Sequence, residues 1–248
     1  MTQPDKSVNQ DKQRIIAAIP CLNEEQFIGD IVAKARVYVD KVIVIDDGST
    51  DKTAELAKAA GAEVIRHETR QGAGAATRSA FEAAKRYDAD VLITLDGDGQ
   101  HNPDEIPQVL APILRGEADL VIGSRFLQSN IDHVPKYRTL GIDVINWLYN
   151  FGSKLRVADA QSGFRAHSRQ LLESIKITEN GFGFSVQVLI QARKKGLLIK
   201  EVPVSCIYHS EGSSLNPIAH GLGVAWNVVK LRFKNELVNR GGKSAEAK

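Results

Sequence analysis

Five short apolar runs, each stopping at polar or small residues, set the rhythm of the chain. They are Arg14 to Ile19, Lys41 to Ile45, Ala62 to Arg66, Val91 to Leu95 and Asp119 to Gly123. Runs of this length that are rich in Ile and Val and apolar at nearly every position predict strands buried on both faces. The stretches between them change period. Phe27, Ile31, Ala35 and Val39 recur at intervals of four behind Asn23-Glu24-Glu25, which predicts a helix opening at the acids. Asp51 to Ala60 forms a second, with Ser49 or Thr50 as its cap and Gly61 as its stop. A third begins in Arg70-Gln71-Gly72-Ala73-Gly74 and runs to Tyr87, and a fourth starts at Asn102-Pro103-Asp104-Glu105. Strand and helix thus alternate from end to end of the first half. This order demands right-handed crossovers and an α/β fold with a mainly parallel central sheet flanked by helices. Pro20 is expected to end the first strand, because proline cannot donate to a central ladder.

Polar residues collect where the strands stop. Val91 to Leu95 runs straight into Asp96-Gly97-Asp98-Gly99-Gln100-His101, two carboxylates one residue apart with glycines interleaved. In open α/β sheets ligands bind at the carboxyl edge, and two hard oxygen ligands there suit Mg²⁺ or Mn²⁺ holding a diphosphate. An Asp/Gly turn without a metal is the competing reading. Asp46 and Asp47 close the second strand and are candidate ribose and base acceptors. Gly72-Ala73-Gly74 can offer backbone N–H groups to a phosphate at a helix N-terminus, or can serve close helix packing. Glu24 and Glu25 equally suit the positive end of a helix dipole.

Composition narrows the classes. The 248 residues suffice for one large domain, and no Pro/Gly/Ser-rich linker divides them. With 32 basic and 30 acidic residues the net charge is +2, which leaves no electrostatic footprint for nucleic acid. Cys21 and Cys206 lack metal-site spacing and are expected as reduced core thiols of a cytoplasmic protein. Residues 1–13 are polar, without the apolar core of a signal peptide, and are expected to be a disordered leader. No apolar run is long enough to span a bilayer.

Taken together, the motifs resemble family 2 glycosyltransferases of the GT-A fold, a Rossmann-like sheet, and within them the dolichyl-phosphate mannose synthase or polyprenyl-phosphate branch. Pro20-Cys21-Leu22-Asn23-Glu24-Glu25, Asp46-Asp47-Gly48-Ser49, Asp96-Gly97-Asp98-Gly99-Gln100-His101, Gly123-Ser124-Arg125 and Ser162-Gly163-Phe164-Arg165 occur in the family's order, followed by Glu201-Val202-Pro203-Val204. The resemblance implies a domain over residues 14–215. It implies that Pro20, Leu22, Glu24, Ile45 and Asp47 line the base and ribose, and that Asp96, Asp98 and Gln100 hold the divalent ion. Asp46, Gly74 and Gly97 join the donor-binding set, Arg125 would reach a phosphate, and Arg138 would contact a lipid phosphate. The implied reaction moves a hexose from GDP-mannose or a UDP-hexose to a polyprenyl or dolichyl phosphate, with inversion. Relatives often carry a hydroxyl residue where Ile142 stands and an arginine where His209 stands.

The acceptor decides the chemistry. A lipid phosphate is already ionised and needs no base, so Arg138 or Arg165 would only orient it. A saccharide or protein hydroxyl would need a carboxylate base, and Asp159 is the candidate, with a turn or capping role as the alternative. Leu140, Val144, Trp147, Leu148, Phe151 and Leu155 form an apolar stripe that suits core or homodimer packing. Residues 216–240 read as an amphipathic C-terminal helix, with Trp226 and Phe233 on one face and Lys230, Arg232 and Lys234 supplying cations. That division suits a helix lying on a membrane surface, which implies a peripheral protein on the cytoplasmic face. Residues 241–248 are expected as a disordered tail. Gln187 is expected as a surface amide, or as a group facing the cleft. A nucleotidyltransferase, with its similar nucleotide-binding sheet, remains an alternative.

Overall fold

Every side chain from Ile16 to Ile19, from Val42 to Ile45 and from Val91 to Ile93 is buried in the computed structural model, which describes residues 13–127, 150 and 156–207. Seven strands build one sheet: β1 (Ile15–Cys21), β2 (Lys41–Asp46), β3 (Glu63–Arg66), β4 (Val91–Thr94), β5 (Leu120–Ser124), β6 (Arg165–Ser168) and β7 (Ile199–Pro203). Their spatial order is β3-β2-β1-β4-β6-β5-β7. All neighbours run parallel except β6, which is antiparallel to both β4 and β5.

Alternate residues of each strand feed two separate layers of core, as the pleat requires. Ile16, Ala18, Ile43, Ile45 and Leu92 pack with α3 (Ala73–Arg86), α5 (Arg169–Ser174) and α6 (Phe184–Lys194). Ala17, Ile19, Val44, Ile93 and Leu95 pack on the other face with α1 (Ile28–Ala35) and α4 (Ile106–Leu114), and Ala57 of α2 (Thr53–Ala59) joins them. Full burial of one such isoleucine contributes about 1.5–3 kcal/mol. A truncation such as Ile93→Ala, which also leaves a void, costs about 2–5 kcal/mol.

The chain leaves β1 in one direction to build β2 and β3, and returns to its other side for β4. The carboxyl ends of β1 and β4 therefore flank the topological switch point, where open α/β sheets bind ligands.

Several local expectations shift. Pro20 does not end β1. It pairs in register with Ile45, and the strand continues to Cys21. Ala18 accepts from Leu95 N on the β4 side and Cys21 from Asp47 N on the β2 side, so Pro20's nitrogen faces β4. Pairing there has already stopped at Ala18–Thr94, so the absent N–H forfeits no ladder bond. Helix α1 begins at Ile28 rather than at the acids, because residues 23–25 are spent on the loop after β2. Asn23 N donates to Ser49 Oγ, Glu24 N to Thr53 Oγ1 and Glu25 N to Asp51 Oδ2, while Thr50 N and Lys52 N donate back to Asn23 Oδ1 and Glu25 Oε2. Ser49 and Thr50 thus serve this clasp instead of capping α2. Gly61 follows α2 with φ +94°, as a helix stop should.

Residues 1–12, the helix expected between Arg138 and Leu155 apart from residue 150, the loop with His209, and the 216–240 helix and tail lie outside the described residues.

Candidate active site

Asp96 and Asp98 leave the end of β4 at the switch point. Gly97 between them is buried beside Cys21 at the end of β1, and Glu24 adjoins the same loop. Three carboxylates therefore converge. Burial pushes Glu24 up to about 7, and the charges of Asp98, Asp51 and Asp96 add to it. Asp98 is raised by burial and then by the Asp96 charge, against a hydrogen bond from Gln100 N at 3.0 Å. Asp96 is raised by burial, opposed by the charges of Arg125 and Arg165. Its side chain nonetheless keeps 49% exposure, so it stands at the mouth of the cleft. His101, 4% exposed, turns Nδ1 to within 3.7 Å of Asp96 Oδ2, and that nitrogen has no hydrogen-bond partner among the described residues. Burial holds the His101 pKa down, at about 4.

Asp96 lies directly over Gly163. A Cβ at residue 163 would fall 2.3 Å from both carboxylate oxygens, so only glycine admits Asp96 in this pose. Beneath the acid, Pro20, Thr77, Phe81, Thr94, Arg165 and His167 help line a cavity of about 20 Å³, space for one water.

Among the described residues no group of three His, Cys, Asp or Glu already has ligand geometry. The donor set still fits a divalent ion of the magnesium class. Such ions take one or two carboxylates and complete their shell from water and substrate phosphates. Asp96 and Asp98 supply those two hard oxygen donors, and burial, with the Asp96 charge added at Asp98, makes their ionised forms costly until a cation joins them. Gln100, expected beside them, points its Oε1 at Cys206 Sγ, 4.0 Å away, and its carbonyl accepts from Ile207 N. It is turned toward the segment after β7.

The acids of β2 are arranged differently. Asp46 is fully buried, accepts from Ser49 N at 2.8 Å and has Arg66 Nε 3.2 Å from its other oxygen, outside hydrogen-bonding alignment. Asp47, 4% exposed, accepts from His67 Nδ1 at 2.7 Å, Gln71 N at 2.9 Å and Gly72 N at 2.8 Å. Ile45 is wholly buried in the α3 core layer, which corrects its expected place on the base pocket. Pro20, Leu22 and Glu24 remain half-buried along the rim.

Gly74 is corrected from phosphate binder to packing residue. Its N–H donates to Asn180 O at 2.7 Å, and a Cβ there would lie 2.1 Å from Glu179 O. The wall formed by Thr178–Gly181 occupies that helix end, and Gln187 fixes it. Gln187 is buried and accepts from Thr178 N and Glu179 N, so it is neither a surface amide nor a cleft residue.

Asp159 is no general base. It is wholly buried, and Arg125 grips it through Nε at 2.7 Å, Nη2 at 2.9 Å and backbone N at 3.2 Å. Burial alone would raise its pKa, but the Arg125 charge and hydrogen bonds, with Arg165, outweigh burial and hold it low. A carboxylate locked in its ionised form takes up no proton. Sequence reasoning missed Glu201, whose carboxylate accepts from Ala158 N and Asp159 N and so holds the turn that carries Asp159. Its only signal was the Glu-Val-Pro element ending on β7. Arg165 is 2% exposed and donates to the carbonyls of Ser162, Ser185 and Ala160, so it braces the Gly163 loop and does not face an acceptor. Cys21 and Cys206 are both free thiols, and burial raises Cys21 well above the ordinary range.

Residues 16–176 match the model of the family described as glycosyl transferase family 2. The chain belongs to that family. A UDP-N-acetylglucosamine–dolichyl-phosphate N-acetylglucosaminyltransferase of Methanococcus voltae is 33% identical over 218 residues, covering 78% of this chain and 86% of its own. A dolichyl-phosphate hexose transferase of Haloferax volcanii is 33% identical over 217 residues, covering 87% and 92%. In fold this glycosyltransferase is similar to glucosyl-3-phosphoglycerate synthase of Mycobacterium tuberculosis, solved with Mn²⁺, UDP and phosphoglyceric acid. The TM-score is 0.72, with 23% identity over 88% of this chain and 78% of that one. Among the described residues no helix is long and apolar enough to cross a membrane.

Proposed function

We propose that this glycosyltransferase is metal-dependent and moves a hexose from a UDP- or GDP-sugar to a polyprenyl or dolichyl phosphate, inverting the anomeric carbon. The observation that carries the reading is the acid pair Asp96 and Asp98, raised in pKa and half-open, at the switch point of a family 2 fold. The named activities of the two archaeal relatives supply the acceptor class.

Asp96 and Asp98 would hold Mg²⁺ or Mn²⁺. Bound there, the ion would act as a Lewis acid on the departing nucleoside diphosphate. Asp96 is kept in pose by the glycine at 163, and Arg125 is aimed by Asp159, whose turn Glu201 secures. These residues bind and orient, and a preorganised charge array of this kind needs no rearrangement as charge develops. The lipid phosphate is ionised at neutral pH, so its oxygen attacks C1 directly while the C1–O bond to the diphosphate breaks and that oxygen keeps the electron pair. No proton has to be removed from the acceptor. The hydroxyl-acceptor alternative loses its assigned base with Asp159. We retain Arg138 as the contact to the lipid phosphate and residues 216–240 as the membrane-surface helix, which make the protein peripheral on the cytoplasmic face.

The test is transfer of radiolabelled hexose from a panel of UDP- and GDP-sugars to detergent-solubilised polyprenyl phosphate with Mn²⁺. Labelled lipid and free nucleoside diphosphate are expected. Transfer only to a water-soluble hydroxyl acceptor, or release of pyrophosphate, contradicts the proposal. Co-sedimentation with anionic liposomes, lost in a Trp226→Glu, Phe233→Glu double variant, checks the membrane surface.

A further inference from the structure

A polar chain runs inward from helix α3 to the end of β2. Ser79 Oγ lies 2.9 Å from His67 Nε2, and His67 Nδ1 lies 2.7 Å from Asp47 Oδ1. His67 is one residue past β3 and 9% exposed, so the ring is clamped between strand end and helix. An ionised carboxylate only accepts, so Nδ1 carries a proton toward Asp47. In the neutral ring Nε2 is then the acceptor, and the Ser79 hydroxyl donates to it. The order Asp, His, Ser has the polarity of a hydrolytic triad. Ser79, however, sits on the second turn of α3, where backbone N–H groups are spent within the helix. With those N–H groups spent, the helix offers no oxyanion donors beside the hydroxyl, so the chain positions and does not attack.

What it positions is Asp47. A carboxylate offers about four acceptor places. His67, Gln71 N and Gly72 N take three, two on Oδ1 and one on Oδ2. We infer that His67 and Ser79 are positioning residues for the donor nucleoside, fixing Asp47 so that the one remaining acceptor place on Oδ2 receives an N–H or O–H of the base or ribose. The inference rests on the sugar-nucleotide reading above. The same clamp sets the path of residues 67–72, since Gln71 and Gly72 are bound through the same carboxylate. Gly48 follows Asp47 so closely packed that its Cβ would meet Arg70 N at 2.9 Å, which leaves the carboxylate no second pose by movement of this turn.

The test is calorimetric binding of UDP and of GDP in the presence of Mn²⁺, with wild type, His67→Phe, His67→Asn and Ser79→Ala. His67→Phe removes both polar contacts at similar volume and is expected to weaken the nucleotide that wild type binds by about tenfold, the worth of one charge-assisted hydrogen bond. His67→Asn keeps a donor toward Asp47 and should restore binding to within about threefold. Ser79→Ala, a change that a helix accepts, should weaken it by about threefold. Mn²⁺ binding without nucleotide should be unchanged in all three. In turnover, the donor KM should rise while kcat stays within about twofold, the mark of lost uniform binding. If His67→Phe fails to fold, Ser79→Ala and His67→Asn carry the test. Folded variants that bind nucleotide as tightly as wild type, or that lose Mn²⁺ affinity in parallel, overturn this inference alone. A wild type that binds neither nucleotide overturns the sugar-nucleotide reading and this inference with it.

Discussion

Two groups of carboxylates share one edge of the sheet and differ in what surrounds them. Asp47 and Asp159 are buried at 4% and 0% exposure, yet each is surrounded by donors: His67 and two backbone N–H groups for the first, a bidentate Arg125 and Ser162 N for the second. Asp96, Asp98 and Glu24 are more open, yet all three are pushed up in pKa, with one another's charges among the causes at Asp98 and Glu24. Burial alone therefore does not separate them. What separates them is how far the fold fills the carboxylate: donors crowd Asp47 and Asp159, whereas Asp98 and Glu24 face neighbouring acids and Asp96 is only partly offset by Arg125 and Arg165. A carboxylate satisfied from within is scaffold, and a cluster left under mutual repulsion is poised for a cation.

The contrast can be broken hardest on the satisfied side. Asp159→Ala removes the bidentate carboxylate that grips the Arg125 guanidinium, 14% exposed, and should cost about 3–5 kcal/mol in chemical denaturation. A cost below about 1 kcal/mol would place that pair with ordinary surface salt bridges. Next comes Gly163→Ala, whose new methyl collides with both Asp96 oxygens. It should cost about 1–3 kcal/mol from overpacking. Displacing the acid should also lower kcat by about a hundredfold.

On the unsatisfied side the expected sign reverses. Asp98→Asn removes one of the repelling charges, so without metal and near neutral pH the variant should melt higher than wild type by about 2–4 °C, while glycosyl transfer collapses. The pH dependence of stability checks the same cluster. The Glu24 pKa rises from its ordinary 4.5 to about 7 in the fold, so its contribution to stability is fully present below 4.5 and is lost as pH climbs through 7. Metal-free melting should therefore decline across that window, Glu24→Gln should flatten the decline, and Mg²⁺ or Mn²⁺ should stabilise more on its alkaline side, where protons no longer compete.

The strands that carry the site were legible because each is apolar at almost every position. Strand β6 was not, since Arg165 and His167 alternate with small residues and resemble a loop. Both are fully buried, the histidine held neutral with its pKa down at about 3. Motif order pointed to the carboxyl edge of the sheet and to Asp96 and Asp98, which stand together at that edge. It could not tell which strand-end side chains face the cleft, so Ile45 turned to the core, Gly74 to a packing contact and Asp159 to an arginine. Those outcomes depend on neighbours far along the chain, such as Asn180 for Gly74 and Arg125 for Asp159. His67 had a local signal that went unread: like Asp47 it stands one residue past the end of its strand, and a polar residue there reaches the same rim.

The most direct test of the account is the melting temperature of wild type and Asp98→Asn at about pH 8, with and without Mn²⁺. Wild type should gain stability with the ion and more with the nucleotide it binds, whereas Asp98→Asn should start higher and respond to neither. A wild type indifferent to Mn²⁺, or an Asp98→Asn protein that gains as much as wild type, would contradict the claim that this acid cluster is built to receive a cation.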